Sequence, residues 1–314
     1  MTTPAQFEGL ERVSLPPRPL HLAIGMFDGV HLGHRAVVES AVQSARRTGG
    51  IAAVLTFFPH PSVLFRPENP TRLMSDLPVK KALLGRLGVD AVILQPFTPA
   101  FAATPAEAFL PLLREKLPLL AAVYVGENWR FGRGRSGDVG LLVAEGRRQG
   151  LAVFSAPRVN LDGEPISSTR IRALIEQGDM GAAAAQLGYV YFTEGAVVPG
   201  KRLGRGLGFP TLNVRWSPDL RPRFGVYGVR VIGDRSVEAL PAVANYGLRP
   251  TVESTTEPRL EIHVLGPCPY GEGDRITAEW LRFMRPELKF GGVDELQAQI
   301  ARDVAAARKD FSLP

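Results

Sequence analysis

The sequence is poor in cysteine and in long apolar runs. Cys268 is the one cysteine among 314 residues, so it can neither form an internal disulfide nor assemble a Cys-based metal site. The longest apolar run, residues 117–125, is about half of a bilayer span. No basic segment followed by an apolar one marks residues 1–20 as a secretory signal. We therefore expect a soluble, cytoplasmic protein rather than a disulfide scaffold or a helical membrane protein.

A strong excess of charge is also lacking. The net charge of +6, from 37 basic and 31 acidic residues, suits phosphate-bearing substrates and nucleic acid equally, and arginines scattered on a solvated surface explain it as well. Residues 189–314 carry no evident aromatic and basic stacking platform for nucleic acid. We expect neither nucleic acid nor a membrane as a partner. The length suits two domains, each with its own core.

The first half alternates apolar runs with helical patterns. The apolar runs are residues 20–25, 51–57, 90–95, 121–126 and 151–157. The helical patterns are residues 35–48, 76–87, 104–117 (with Thr104 as N-cap and Pro105 at the first position) and 138–149. This alternation predicts a parallel sheet with helices on both faces and a ligand at the carboxyl ends of its strands.

The stretch that follows the first strand reads Gly-Met-Phe-Asp-Gly-Val-His-Leu-Gly-His, beginning at Gly25. Glycines here, Gly33 included, let the backbone approach a ligand, and the amides of a helix start favour phosphate. His31 and His34 can project to one side and donate hydrogen bonds to a polyphosphate in its transition state. Asp28 could steer a metal or a ribose. Two alternative interpretations of the histidine pair remain. The two histidines could be two ligands of a metal site, although the further ligands such a site requires are not nearby in sequence. They could also simply cap a helix after a glycine-rich turn.

Residues 56–61 follow the second strand at the same edge of the sheet, and His60 between two prolines there indicates a rigid turn rather than a catalyst. Two further segments fall where strands of the same sheet end. In residues 126–132, which include Asn128, the rings of Trp129 and Phe131 flank Arg130 and could stack on an aromatic ligand. An ordinary exposed loop is the competing interpretation.

The second segment, residues 166–172, offers Ser168, Thr169 and Arg172 at the start of a helix. Helix capping alone would explain the hydroxyls. Together with the arginine one turn later, they would form a second cationic grip on phosphate.

The motifs at residues 25–34 and 167–172 together resemble those of a known enzyme family. Gly-x-Phe-Asp-Gly-Val-His-x-Gly-His and Ser-Ser-Thr-x-Ile-Arg together resemble the N-terminal module of the bacterial bifunctional riboflavin kinase/FMN adenylyltransferases, or FAD synthetases, in the nucleotidyltransferase superfamily. Aminoacyl-tRNA synthetases share the first motif but also carry a Lys-Met-Ser-Lys-Ser loop, which is absent here. The resemblance implies an α/β Rossmann-like domain in which the FMN phosphate attacks the α-phosphate of ATP and releases pyrophosphate.

The resemblance also implies roles for individual residues. The transition state would be stabilised by His31, His34, Ser168, Thr169 and Arg172. The ligand-binding residues would be Gly25, Asp28, Gly33 and Asn128.

The pattern changes to strands in the second half. The predicted strands are residues 189–198, 224–232, 239–244, 259–265 and 275–283, and a last helix covers residues 293–308. Several antiparallel strands and one helix predict a small β-barrel closed by a C-terminal helix. We place the domain border at Gly188, which gives domains of residues 1–187 and 188–314.

The barrel half carries a second glycine-rich stretch and a glutamate of interest. Residues 200–213 match neither the dinucleotide fingerprint nor the Walker loop. Thr211 and Asn213 would share one face of a strand and could hold a hydrated Mg²⁺ on ATP; they could equally end a turn. Glu261 alternates with apolar neighbours, and inside a small barrel it could take the proton of an attacking hydroxyl. A solvated glutamate is the alternative.

The second half resembles the riboflavin kinase module of the same enzymes. The motifs, in the order of that module, are Gly-Phe-Pro-Thr-x-Asn, Gly225-Val226-Tyr227, Asn245-Tyr246-Gly247-Leu248-Arg249-Pro250-Thr251, Glu261 and Arg285-Pro286-Glu287-Leu288-Lys289-Phe290. The resemblance, over residues 20–312, implies that Glu261 is the base that activates a riboflavin hydroxyl. Thr211 and Asn213 would bind Mg²⁺, and a loop that contains Gly204 and Gly208 would fold over ATP. Arg285 would be a further binding residue.

The resemblance implies two successive reactions with riboflavin, FMN, FAD, ATP, ADP and pyrophosphate as ligands, and flavoenzymes as possible recipients of FAD. Three positions depart from the family pattern: Met26 replaces a common Asn, Trp129 a usual Phe, and Leu212 a usual Ala. Two rival functions are a nucleotidyltransferase for another phosphorylated acceptor and a nucleic-acid-binding barrel fused to an inactive α/β domain. Glu261 and the Pro-Thr-Leu-Asn run argue against the first rival.

Overall fold

A computed structural model describes residues 3–200, 203–248 and 258–313. Parts of two predicted motifs, Lys201-Arg202 and Arg249-Pro250-Thr251, lie outside these ranges. The chain folds into two compact units that divide after Ser168. The functional border proposed at Gly188 stays a prediction.

The N-terminal unit contains a six-stranded sheet in which every pairing is parallel. Its strands are β1 (Ala5–Glu8), β2 (Leu20–Ile24), β3 (Ile51–Phe58), β4 (Ala91–Pro96), β5 (Leu120–Gly126) and β6 (Ala152–Ala156). The spatial order is β1-β4-β3-β2-β5-β6. The chain winds from β2 to β3 and β4 and then returns to pair β5 with the other side of β2. The carboxyl ends of β2 and β5 thus form the switch point at which such sheets bind ligands.

Helices connect these strands; the four longer ones match the predicted helical patterns, and the two short ones were not predicted. They are α1 (Leu32–Thr48), α2 (Pro61–Phe65), α3 (Leu77–Arg86), α4 (Pro99–Ala102), α5 (Ala106–Lys116) and α6 (Val139–Arg148). A small hairpin follows, formed by β7 (Asn160–Leu161) and β8 (Glu164–Pro165).

The structure corrects two helix starts and adds strand β1 to the predicted sheet. Helix α1 begins three residues earlier than predicted because the side chain of His31 caps it. The N-cap of α5 is Pro105, not Thr104, because the Thr104 carbonyl instead accepts a hydrogen bond from the Arg133 amide at 2.7 Å. Strand β1 was not predicted, since four mostly exposed residues at a sheet edge give no apolar run.

The C-terminal unit contains a closed antiparallel barrel with strand order β10-β13-β12-β11-β14-β9. Its strands are β9 (Phe192–Val198), β10 (Leu212–Arg215), β11 (Gly225–Gly233), β12 (Ser236–Gly247), β13 (Arg259–Val264) and β14 (Arg275–Arg285). Its helices are α7 (Ser168–Gln177, of which Ser168 belongs to the N-terminal unit), α8 (Met180–Leu187), α9 (Leu203–Gly206) and α10 (Val293–Asp310). The predicted barrel with a C-terminal helix is confirmed.

Aromatic side chains fill the inside of the barrel. Tyr227, Tyr246 and Trp280 have no solvent exposure. Trp280 meets the two tyrosine rings edge to face, at centroid distances of 4.7 and 5.7 Å, and its indole N–H donates to Thr193 Oγ1 at 3.3 Å. Burial raises the pKa of both tyrosines above the ordinary value. The interior of this barrel is a packed core, so ligands must bind elsewhere.

We expect Trp280→Ala to lower the free energy of unfolding of the C-terminal unit by about 3–5 kcal/mol, because the cavity left behind cannot collapse. Urea unfolding followed by circular dichroism measures this. The matched control is Val237→Ala on β12, whose side chain is fully exposed and which should change stability by less than about 0.5 kcal/mol. Equal stability of the two variants would contradict the packing role of Trp280.

Candidate active sites

The turn between β2 and α1 is tight and partly left-handed. Phe27, Gly29 and Val30 have φ angles of 49°, 71° and 39°. The Phe27 ring is buried against the backbone of Gly25, where a Cβ atom would lie 2.9 Å from the ring. Gly25 is therefore required by packing within the turn as well as by any approach of a ligand.

The turn brings His31, His34 and Ser168 together. His31 Nδ1 accepts a hydrogen bond from the His34 amide at 3.3 Å, and Nε2 lies 3.1 Å from Ser168 Oγ. Because Nδ1 is an acceptor, the neutral ring carries its hydrogen on Nε2 and donates it to the serine oxygen. The two imidazole rings stack at 3.6 Å, and a Cβ on Gly33 would lie 3.3 Å from the His31 ring. The predicted juxtaposition of the two histidines at a helix start is thus present.

The other predicted site residues of the N-terminal half differ in burial and position. Ser168 is the first residue of α7, Thr169 the second, and Arg172 follows one turn later. Asn128 is exposed in the turn after β5. Asp28 is 1% exposed, and its carboxylate accepts hydrogen bonds from the Met74 amide at 3.0 and 3.3 Å. The burial of Asp28 fits a part in holding the turn, while its proposed contact with ATP stays a prediction.

An aromatic cluster at the carboxyl ends of β3 and β4 was not predicted, although residues 56–61 were expected at this edge of the sheet. Phe97 packs edge to face on Phe57 at 6.0 Å and on Phe65 at 5.9 Å. Phe58 and Phe65 are 46% and 61% exposed, which leaves apolar rings open to a ligand. The signal available was the Phe57-Phe58 pair at the end of a predicted strand.

Of the two rings predicted to stack on a ligand around Arg130, Trp129 and Phe131, only Trp129 could do so. Phe131 is buried in the core beside Phe109, and Trp129 stacks on it at 4.6 Å. One face of the Trp129 ring is thus covered by the protein itself. The expectation that Phe131 stacks on a ligand is wrong, because its ring completes the core at this end of the sheet.

In the barrel, three polar residues form a row across neighbouring strands. Asn213 of β10 and Asn245 of β12 both pair with Glu261 of β13, one on each side. Directly opposed residues in antiparallel strands point to the same face. That face is the outer one, because Val243, two residues before Asn245, packs with Ala307 of α10.

The prediction that Glu261 lies inside the barrel is therefore wrong. The interior is filled by aromatic rings, and Glu261 instead faces a cavity of about 300 Å³ on the outer wall. The strands and residues next to their ends contribute the polar lining of this cavity, and α10 with the segment before it contributes apolar side chains. The polar lining includes Thr211, Asn213, Asn245, Glu261, His263, Arg285 and Glu287, and the apolar lining includes Leu288, Phe290, Leu296, Ile300 and Val304.

A second cavity of about 280 Å³ shares Thr211, Asn213 and His263 with the first. Thr211 and Asn213 therefore stand at the border between two cavities. The glycines of this loop are needed for space: a Cβ on Gly200 would collide with the Asn213 side chain, and one on Gly204 with the Phe209 carbonyl. Gly208 has a φ of 85°, which favours glycine.

Arg285 is the last residue of β14, and Glu287 lies two residues beyond it. The Arg285 guanidinium binds Asp303 of α10 through Nε at 2.8 Å and Nη2 at 2.6 Å, so it joins α10 to the barrel. Burial raises the pKa of Glu287, and the Arg285 charge partly counteracts this. The predicted ligand contact of Arg285 stays a prediction, and Glu287 is a cavity residue that sequence reasoning did not single out.

The donor atoms favour a hard cation over zinc. In the part of the chain that the structure describes, no group of three His, Cys, Asp or Glu residues could hold a metal ion. Thr211, Asn213 and Glu261 instead offer hydroxyl, amide and carboxylate oxygens around one cavity. Oxygen ligands suit Mg²⁺, which binds few protein groups and keeps the phosphates of its substrate as ligands.

No helix among residues 3–200, 203–248 and 258–313 is long and apolar enough to cross a membrane.

Two protein-family models match the chain. A model described as FAD synthetase covers residues 15–170, and one described as riboflavin kinase covers residues 187–311. The first contains the Gly25–His34 turn and Ser168; the second contains the barrel and α10.

Full-length relatives carry both modules. A bifunctional riboflavin kinase/FMN adenylyltransferase from Escherichia coli K12 is 37% identical over 306 residues, which are 97% of each chain. Proteins of the same name from Listeria monocytogenes and Bacillus subtilis are 35% and 32% identical over 93% of this chain and 92% of theirs.

A solved structure titled as a macrolide-efflux protein from Streptococcus pneumoniae superposes with a TM-score of 0.87 at 26% identity, over 98% of this chain and 99% of its own. That title names another activity, and the likeness supports the fold. With both family models in the same order and full-length relatives above 30% identity, the chain belongs to the bifunctional riboflavin kinase/FMN adenylyltransferase family.

Proposed function

We propose that the two activities of this family occupy separate domains, FMN adenylyltransferase in residues 1–187 and riboflavin kinase in residues 188–314. The chain is an enzyme that phosphorylates riboflavin to FMN and adenylylates FMN to FAD, with ATP as co-substrate of both steps. The observation that carries the kinase assignment is the row of Asn213, Glu261 and Asn245 beside two cavities that meet at Thr211 and Asn213.

In the kinase domain, riboflavin would bind in the cavity between barrel and α10. Apolar side chains such as Ile300 and Val304 would contact the flavin ring, and the ribityl chain would extend to Glu261. ATP would bind in the adjoining cavity under the loop that contains Gly204 and Gly208. The Glu261 carboxylate takes the proton of the terminal ribityl hydroxyl. At the same time the hydroxyl oxygen forms a bond to the γ-phosphorus of ATP, and ADP leaves.

Thr211 and Asn213 would hold Mg²⁺ at the border of the two cavities. Their oxygen donors fit a cation that prefers oxygen ligands, and a bound cation would neutralise charge on the phosphates. Thr211 and Asn213 would thereby orient the phosphate chain toward Glu261.

Glu261→Gln should lower the rate of FMN formation by about 10²–10⁴-fold, because an amide cannot accept the hydroxyl proton. Chromatography of flavins after incubation with riboflavin, ATP and Mg²⁺ measures this. FAD formation from supplied FMN should be unchanged. The control is Glu238→Gln on β12, whose side chain is exposed; if both variants phosphorylate riboflavin at the wild-type rate, Glu261 is not the base.

Thr211→Val should raise the Mg²⁺ concentration for half-maximal riboflavin phosphorylation by about tenfold, because the hydroxyl ligand is replaced by a methyl group of similar shape. A titration of kinase rate against free Mg²⁺ measures this shift, with Thr277→Val on β14 as the control. An unchanged Mg²⁺ titration would remove Thr211 from the proposed metal site.

In the adenylyltransferase domain, ATP phosphates would lie at the N-terminus of α1. The FMN phosphate is already ionised and attacks the α-phosphorus, so no general base is needed and pyrophosphate leaves. His31, His34, Ser168, Thr169 and Arg172 would stabilise the charge that develops on the phosphate oxygens. Gly25, Gly33, Asp28 and Asn128 would shape the pocket, and the exposed rings of Phe58 and Phe65 would contact the flavin.

His31→Asn should lower the kcat of FAD formation by about 10²–10³-fold, because a transition-state donor is lost. Asparagine still caps a helix, so α1 keeps its start while the ring that reaches Ser168 is removed. Riboflavin phosphorylation in the same sample is the internal control and should not change. Retention of FAD synthesis within about twofold of wild type would exclude His31 from the chemistry.

We also place the enzyme in the cytoplasm, where the single cysteine fits a reducing compartment. Flavoenzymes would receive the FAD. Neither nucleic acid nor a membrane is needed for the proposed reactions.

A further inference from the structure

A buried lysine lies beneath the turn that carries the two histidines. Lys80, in α3, is 3% exposed, and its ammonium group donates a hydrogen bond to the Met26 carbonyl at 3.0 Å. Burial lowers the pKa of Lys80, and the Asp28 carboxylate partly counteracts this effect. A lysine is seldom buried to this degree without a specific partner.

Two further hydrogen bonds hold the same turn. The Met26 carbonyl also accepts from Thr56 Oγ1 of β3 at 3.1 Å. Asp28, two residues on, accepts from the amide of Met74 in the segment before α3. The turn is thus fixed from β3 on one side and from α3 and its leading segment on the other.

The turn needs such support because its backbone is strained. Phe27 and Val30 have φ angles of 49° and 39°, in the left-handed region that side chains with a Cβ adopt reluctantly, β-branched valine above all. Conformations of this kind persist where the surrounding structure holds them in place. His31 follows Val30 directly, so any relaxation of the turn moves the start of α1 and the imidazole ring bonded to Ser168.

We propose that Lys80, together with Thr56, is a positioning residue for adenylyl transfer: by holding the Met26 carbonyl it keeps the strained turn in the form that aligns His31 and His34. Lys80 acts through the backbone and touches no substrate. This inference rests on the proposed role of the two histidines.

The test compares Lys80→Met, which keeps the aliphatic stem and removes the ammonium donor, with Lys81→Met. Lys81 is adjacent on α3, and its ammonium group donates to Gln6 Oε1 at 2.8 Å in an exposed contact. For each variant, kcat and KM of FAD formation from FMN and ATP are measured, with riboflavin phosphorylation in the same sample as the internal control.

For Lys80→Met we expect kcat of FAD formation to fall by about tenfold or more, while the KM for FMN stays within about twofold. Lys81→Met should match wild type in both reactions, and riboflavin phosphorylation should be unchanged in both variants. An unchanged kcat in Lys80→Met, or a loss that disappears when rates are divided by the folded fraction from thermal unfolding, would overturn the proposal.

Two additional variants keep the test decisive. If Lys80→Met does not fold, the test uses Thr56→Val, which removes the other side-chain donor to the Met26 carbonyl. A fall in the kcat of FAD formation by about threefold or more at constant KM supports the proposal, and a wild-type kcat contradicts it. His31→Asn in the same assay separates the two hypotheses. If His31→Asn leaves FAD synthesis intact, the proposed role of the histidines is wrong. If His31→Asn impairs FAD synthesis while Lys80→Met and Thr56→Val do not, only the positioning role is wrong.

Discussion

Main-chain hydrogen bonds between neighbouring strands determine where the polar groups of both candidate sites lie. In the N-terminal unit, β2 pairs with β3 and β5 in parallel, so the segments that follow these strands meet at one edge. In the barrel, the register of β10, β13 and β12 sets Asn213, Glu261 and Asn245 in one row. A slip of one residue would turn Glu261 to the opposite face of its strand.

That constraint explains why the proposed kinase site lies outside the barrel. The inward face of each strand is occupied by residues such as Tyr227, Tyr246 and Trp280, which leave no room for a ligand. The outward face of β12 and β13 is instead covered by α10, which is held through the ion pair of Arg285 with Asp303. A helix spaced from a sheet by a partly apolar cavity can accept a flat ring on its apolar side and present carboxylates and amides at the other.

Sequence patterns predicted the architecture well because buried strands and amphipathic helices have distinct periods. They also predicted that His31 and His34 stand together at a helix start, since both belong to one short motif. They failed where the answer depended on distant partners. The orientation of Glu261 depends on what fills the barrel, and the burial of Phe131 depends on its contact with Phe109. The positioning role proposed for Lys80 depends on its hydrogen bond to the Met26 carbonyl. No local pattern contains these contacts.

The two proposed sites differ in composition for a chemical reason. In the first reaction the nucleophile is a neutral hydroxyl, which must lose a proton as it attacks, so the row on the barrel includes a carboxylate. In the second the nucleophile is the phosphate that the first reaction installed, which is ionised before it binds. A carboxylate beside it would repel it, and the Asp28 carboxylate is buried, where it accepts a hydrogen bond from the Met74 amide. The side chains assigned to this site, His31, His34, Ser168, Thr169 and Arg172, can each donate a hydrogen bond, which suits a site where negative charge accumulates.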